Sequence, residues 1–177
     1  MPRIVSTAKD DEGHEAALAA ELARELERDP SPEEPFAQPI IFERDVPQTK
    51  TVHVTVVWEK WRSVGIDARD RIIMQAYEKI FPDKVDQITI AMGMTTDEAV
   101  DVGLLPYGIE PMVRAGELTD EQVRTMMRNE GAVETPSGLQ LRFPSLELAN
   151  RAYERLAAGS DQKHWSIVHI LPPAESA

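Results

Sequence analysis

Val52-His53-Val54-Thr55-Val56-Val57-Trp58, then Asp67 through Ile80, then Ile88-Thr89-Ile90-Ala91-Met92: these three runs decide the fold class. In the first, Val52, Val54, Val56 and Trp58 occupy every second position, with His53 and Thr55 on the other face. That period predicts a strand with one buried side. In the second, Ile72, Ile73, Ala76, Tyr77 and Ile80 recur at helical spacing behind Asp67, a residue type that caps helices. Phe81-Pro82 ends the run. The third is short, apolar and closed by Gly93, and reads as a buried strand. Strand, helix, strand in about 40 residues is a packed α/β unit whose strand direction the sequence leaves open.

Upstream, Ile40, Ile41 and Phe42 make a short strand candidate. Downstream, Thr95 or Thr96 caps a short helix that Gly103 terminates, and Pro106 and Pro111 bracket a second short helical piece. Thr119-Asp120-Glu121-Gln122 is a capping box opening a helix that Gly131 ends. Val133 and a strand at Leu139, Leu141 and Phe143 flank Pro136-Ser137-Gly138, a hairpin turn. Ser145 caps a helix with apolar face Leu148, Ala149, Ala152, Tyr153 and Leu156, and Trp165 to Leu171 is the last strand before Pro172-Pro173. The expected fold is α+β: a small sheet with helices packed mainly on one side, built from two strand–helix–strand halves. A helical or disordered acidic N-terminal arm and a proline-rich linker are expected over residues 1–39, the compact domain over 40–172, and a disordered tail over 173–177.

The chain has 177 residues, enough for one domain or two small ones, and a globular share of apolar residues. Its net charge of −12 repels phosphate backbones and anionic lipid, so nucleic-acid binding is not expected. Residues 1–50 hold 12 acidic and 6 basic residues, more than twice the negative charge per residue of the remainder. With no cysteine, disulfides, zinc fingers and thiol nucleophiles are excluded. No run approaches the roughly 20 apolar residues of a membrane span, and the opening Met-Pro-Arg-Ile-Val-Ser has no signal-peptide character. A cytoplasmic location is the expectation.

Chemistry-bearing patterns are sparse. There is no Gly-x-Ser-x-Gly elbow, P-loop or dinucleotide fingerprint. His14-Glu15 opens like a zinc-protease helix, but Leu18 stands where the second histidine belongs. His164 and His169 lie five apart, on opposite faces of a strand. His53 beside Thr55 is the one histidine with site-like neighbours. Asp67, Asp70, Asp97, Glu98 and Asp101 fall mostly in first helical turns, where carboxylates complement the helix dipole. Arg124, Arg128 and Asn129 have the residue types of a recognition helix, but Asp120, Glu121 and Glu130 flank them.

The Val52–Glu98 segment resembles the core of BolA-type proteins, which have a KH-like α/β fold. The shared features are a valine-rich strand, Trp61 after it, Arg69 and Arg71 entering a helix, and a strand followed by Thr95-Thr96-Asp97-Glu98. The histidine that family carries between the two arginines is Asp70 here, and Asp86-Gln87 stand where another precedes the second strand. The resemblance therefore implies shared supersecondary structure and not iron–sulfur partnership.

No catalytic, cofactor or metal residue is assigned. Six methionines, Met74, Met92, Met94, Met112, Met126 and Met127, read chiefly as core. The expected function is a non-catalytic binding or assembly module, with a protein partner or self-association. Leu18, Leu22 and Leu26, four apart on one narrow stripe of the arm, and Trp58 and Trp61 are the expected partner-binding residues. The stripe is expected to dock into a groove, on its own domain or on a partner. The alternatives are a small-molecule or enzyme site near Trp58, and a nucleic-acid-associated regulator.

Overall fold

The structure, a computed structural model, describes residues 9–28, 39–111, 118–134, 141–159 and 165–170. The fold is α+β, but with two sheets where one was expected. The block expected at 40–172 is likewise two compact units that divide between Met94 and Thr95. The physical reason is that each sheet buries its own helices in its own core. The linker through Gln38, the turn at Pro136-Ser137-Gly138, His164 and the tail from Pro173 lie outside the described residues.

The first unit holds α1 (Lys9–Glu27), β1 (Ile40–Asp45), β2 (Val52–Val57), a 3-10 turn (Glu59–Ser63), α2 (Ile66–Ile80), α3 (Pro82–Val85) and β3 (Ile88–Met94). The sheet order is β1-β2-β3. β1 runs antiparallel to β2, with Phe42 opposite Thr55; β3 runs parallel to β2, with Ala91 opposite Val54. The strand–helix–strand reading of this segment is thereby realised. Val52, Val54, Val56 and Trp58 pack on Ile72, Ile73, Ala76 and Tyr77 as the two periodicities require. α2 starts one residue before Asp67, with Gly65 at the N-cap and no capping side chain; Asp67 sits in the first turn instead.

The N-terminal helix belongs to this core. Leu18 and Leu22 are 4% and 0% exposed, and Ala19 and Ala23 pack beside them where α1 lies along α2. Glu15 pairs with Arg71 at 3.0 Å and Glu21 with Lys60 at 2.6 Å, across exposed surface. Such pairs contribute about 0–1 kcal/mol each, whereas each buried leucine contributes about 1.5–3 kcal/mol. The apolar stripe therefore holds the helix in place.

The second unit holds α4 (Thr96–Asp101), β4 (Tyr107–Pro111), α5 (Asp120–Asn129), β5 (Val133–Glu134), β6 (Leu141–Phe143), α6 (Leu146–Gly159) and β7 (Trp165–His169). Its sheet order is β5-β6-β4-β7, antiparallel throughout. Thr95 with Glu98 and Thr119 with Gln122 form the capping boxes, while Gly103 (φ 76°) and Gly131 (φ 94°) take the left-handed turns that end α4 and α5. The stretch between Pro106 and Pro111 is a strand, not a short helix. Tyr107 and Gly108 bond on both sides, and the prolines lie just before the strand and at its last residue. Ile109, Met127, Phe143, Ala149, Ala152 and Leu156 form the core. Glu130, 3% exposed, sits between Arg151 and Arg155 and ties the end of α5 to α6.

Candidate functional site

The residues singled out in the sequence are mostly consumed by the fold. Trp61 is fully buried and donates Nε1–H to Val56 O at 2.9 Å, and Trp58, 3% exposed, meets it edge-on at 5.2 Å. Lys60 Nζ lies 5.2 Å from the Trp58 ring centre. The indole pair closes the end of the core, and its rings are not open to a partner. Leu18 and Leu22 are covered by the unit itself, and Leu26 is partly buried against the same core. Of the two grooves anticipated for this stripe, the one on its own unit is the one filled.

The carboxylates are dispersed. Glu98 accepts from the Thr95 N–H at 2.7 Å, Asp67 and Asp97 occupy first turns, and burial, then the charge of Asp67, pushes the Asp70 carboxyl up. Among the described residues no group of three or more histidine, aspartate or glutamate side chains is placed to hold a metal. Arg124 and Arg128 are drawn onto Glu134 at 2.8 and 2.6 Å, so α5 spends both guanidiniums within its own unit. Glu43 on β1 receives the Tyr77 hydroxyl at 2.7 Å and the Lys84 ammonium. Burial raises that carboxyl, but the bonds from Lys84 and Tyr77 prevail and hold it below its ordinary range; burial and the adjacent carboxylate push the Tyr77 phenol far up. This triad joins β1 to α2 and α3. The Glu43 and Lys84 side chains are 36% and 32% exposed.

The side of the first sheet that faces away from α1 and α2 carries exposed large apolar side chains on β3. By register that side carries Ile40, Phe42 and Arg44 from β1, His53, Thr55 and Val57 from β2, and Ile90, Met92 and Met94 from β3; Ile40 and Val57 are buried and Arg44 is exposed. Phe42, His53 and Thr55 are half-buried; Ile90 and Met92 are 42% and 38% exposed. The buried strand expected at Ile88–Met92 is instead half exposed, for a definite reason. The pairing shifts by one residue between Val52 and His53, so Val52 faces Ile88 while His53 faces Ile90. An extra residue reverses the side to which every later side chain points. Ile88 therefore joins the core, and Ile90 and Met92 turn outward.

The inward positions after the bulge are small because α2 and the 3-10 turn crowd them. Arg69, 6% exposed, donates Nε–H to Val64 O at 2.9 Å and Nη1–H to Gly93 O at 3.1 Å. Arg69 and Trp61 lie against the Gly93 backbone, leaving no room for a side chain. The sequence signal for this arrangement is the alternation of large with small residues in Ile90-Ala91-Met92-Gly93, which leaves open which set faces the core. Among the described residues no helix is long and apolar enough to cross a membrane. Comparison with family models, curated proteins and solved structures finds no match to this chain.

Proposed function

We propose that this protein is a non-catalytic module that works through protein–protein contact, with the outward face of the first sheet as its contact surface. The observation that carries this reading is the placement of Ile90 and Met92, two large exposed apolar side chains on one face of β3. Neighbouring apolar side chains on a rigid element favour contact with another surface. Several titratable groups support the same reading, since Glu98 serves a cap, Arg124 and Glu134 an ion pair, and Tyr77, Glu43 and Lys84 their triad. A cytoplasmic setting belongs to this proposal, because a chain without cysteine gains nothing from an oxidising compartment.

Native mass spectrometry of the protein isolated from its own source tests it. The expected result is a protein-bound species that the Ile90→Ser/Met92→Ser double variant loses while keeping its unfolding midpoint. A mass increment of a small molecule or metal in place of protein, or a complex indifferent to both substitutions, overturns the reading.

A further inference from the structure

β3 is an edge of the first sheet, and among the described residues no strand pairs with its far side. Its residues, Ile88-Thr89-Ile90-Ala91-Met92-Gly93-Met94, include no charge and no proline. Edge strands are ordinarily blunted by charge, proline or shortness, because their unpaired N–H and C=O groups template another strand. The opposite edge is blunted in that way: β1 ends Glu43-Arg44-Asp45, all exposed.

The direction of the open backbone groups follows from one bond. Trp58 N–H donates to Met94 O at 2.9 Å, and Met94 stands opposite Val57. Backbone groups alternate along a parallel ladder, so those of Ile90, Met92 and Met94 point to β2 and those of Ala91 and Gly93 point to the edge. Gly93 O receives Arg69. Ala91 is therefore the centre of the open stretch.

We infer that β3 pairs antiparallel with β3 of a second copy of this chain, about a two-fold axis through Ala91. The inference rests on the protein-contact reading above and names the partner for it. A two-fold at Ala91 lets that residue exchange N–H and C=O bonds with its counterpart. It also sets Ile90 opposite Met92 of the second copy, and Met92 opposite Ile90, so the exposed apolar pair covers its own equivalent. The strand supplied is uncharged, as the strand receiving it is. A charged strand would find no counter-charge on β3. The bulge near Thr89 and the Arg69 bond at Gly93 limit the pairing at its two ends.

The contact is small, well under the roughly 800 Å² per partner of a standard interface. Each copy also carries a net charge of −12. The dimer is accordingly weak, forms at high protein concentration, and tightens with added salt as the repulsion is screened.

Sedimentation velocity of the purified full chain, from micromolar to near-millimolar concentration, tests the inference. Wild type is expected to show a concentration-dependent dimer favoured by salt. Ala91→Pro removes only an edge-facing N–H and is expected to raise the dissociation constant at least about tenfold, with the urea midpoint as the control for folding. Ile90→Lys and Met92→Glu are each expected to weaken the dimer. Combined in one chain they are expected to restore it, because this register alone sets the two new charges opposite each other across the axis. A wild-type monomer throughout, or a dimer that ignores Ala91→Pro and the charge substitutions, overturns the inference. A monomer that still binds a different protein through Ile90 and Met92 overturns the second copy and leaves the protein-contact reading standing; absence of any protein complex removes both.

Discussion

A methyl group added at Gly93 would stand 2.7 Å from Arg69 Cβ and 3.1 Å from Trp61 Cε2, both in packed interior. Gly93→Ala is therefore expected to destabilise the chain by about 1–3 kcal/mol, the usual cost of overpacking, measured by urea unfolding. In the sequence only its place in the Ile90-Ala91-Met92-Gly93 alternation separates that glycine from Gly65, whose surroundings are open. The contact is made by side chains 24 and 32 positions away in the chain. Glu43 gives a pH signature at the same scale. Its folded carboxyl lies below the ordinary value of 4.5, so its bonds with Lys84 and Tyr77 add stability that is complete above that value and lost as pH falls through the folded pKa. Lys84→Met is expected to lower stability at pH 7 and to converge on wild type in acid, as read by urea midpoints at a series of pH values. A difference that persists unchanged in acid would sink this assignment.

At the scale of elements, α1 is a tertiary helix. Its 19 residues are marginal alone because nucleation is costly, and its stripe of Leu18 and Leu22 is what α2 covers. Leu22→Ala is expected to cost about 2–5 kcal/mol, and amide exchange across residues 13–27 is expected to be slow in wild type. Free exchange there would show that the helix is not docked. The α5–α6 junction predicts an asymmetry. Glu130 is buried whereas Arg151 and Arg155 are 38% and 67% exposed at their side chains. Removing the carboxylate with Glu130→Gln leaves two solvated cations, at a cost of about 1 kcal/mol. Removing both arginines strands a buried charge, at about 3–5 kcal/mol. Thermal unfolding of the two variants decides, and equal losses would contradict the geometry.

At the scale of the molecule, two separate apolar clusters imply separable responses. Ile73→Ala is expected to loosen amide protection most within residues 9–94, and Leu156→Ala most within 118–170, by hydrogen exchange. Local patterns in the sequence determined a great deal: the α+β class, the strand at Val52, the faces of α2 and α6, a threonine cap at Thr95 or Thr96, the capping box at Thr119, and the left-handed stops at Gly103 and Gly131. Each of these is set by residues within a few positions of one another, through helical or strand periodicity and through capping bonds. Only tertiary structure decided the rest. The division at Met94 depends on which sheet each strand joins, the strand between Pro106 and Pro111 exists through bonds to β6 and β7, and the leucines of α1 are spent on α2. The candidate surface belongs to this second group. Whether Ile90 and Met92 face core or solvent turns on one extra residue in the pairing of β3 with β2. A register is a relation between two strands and a bulge reverses it, so neither strand's own sequence contains the answer.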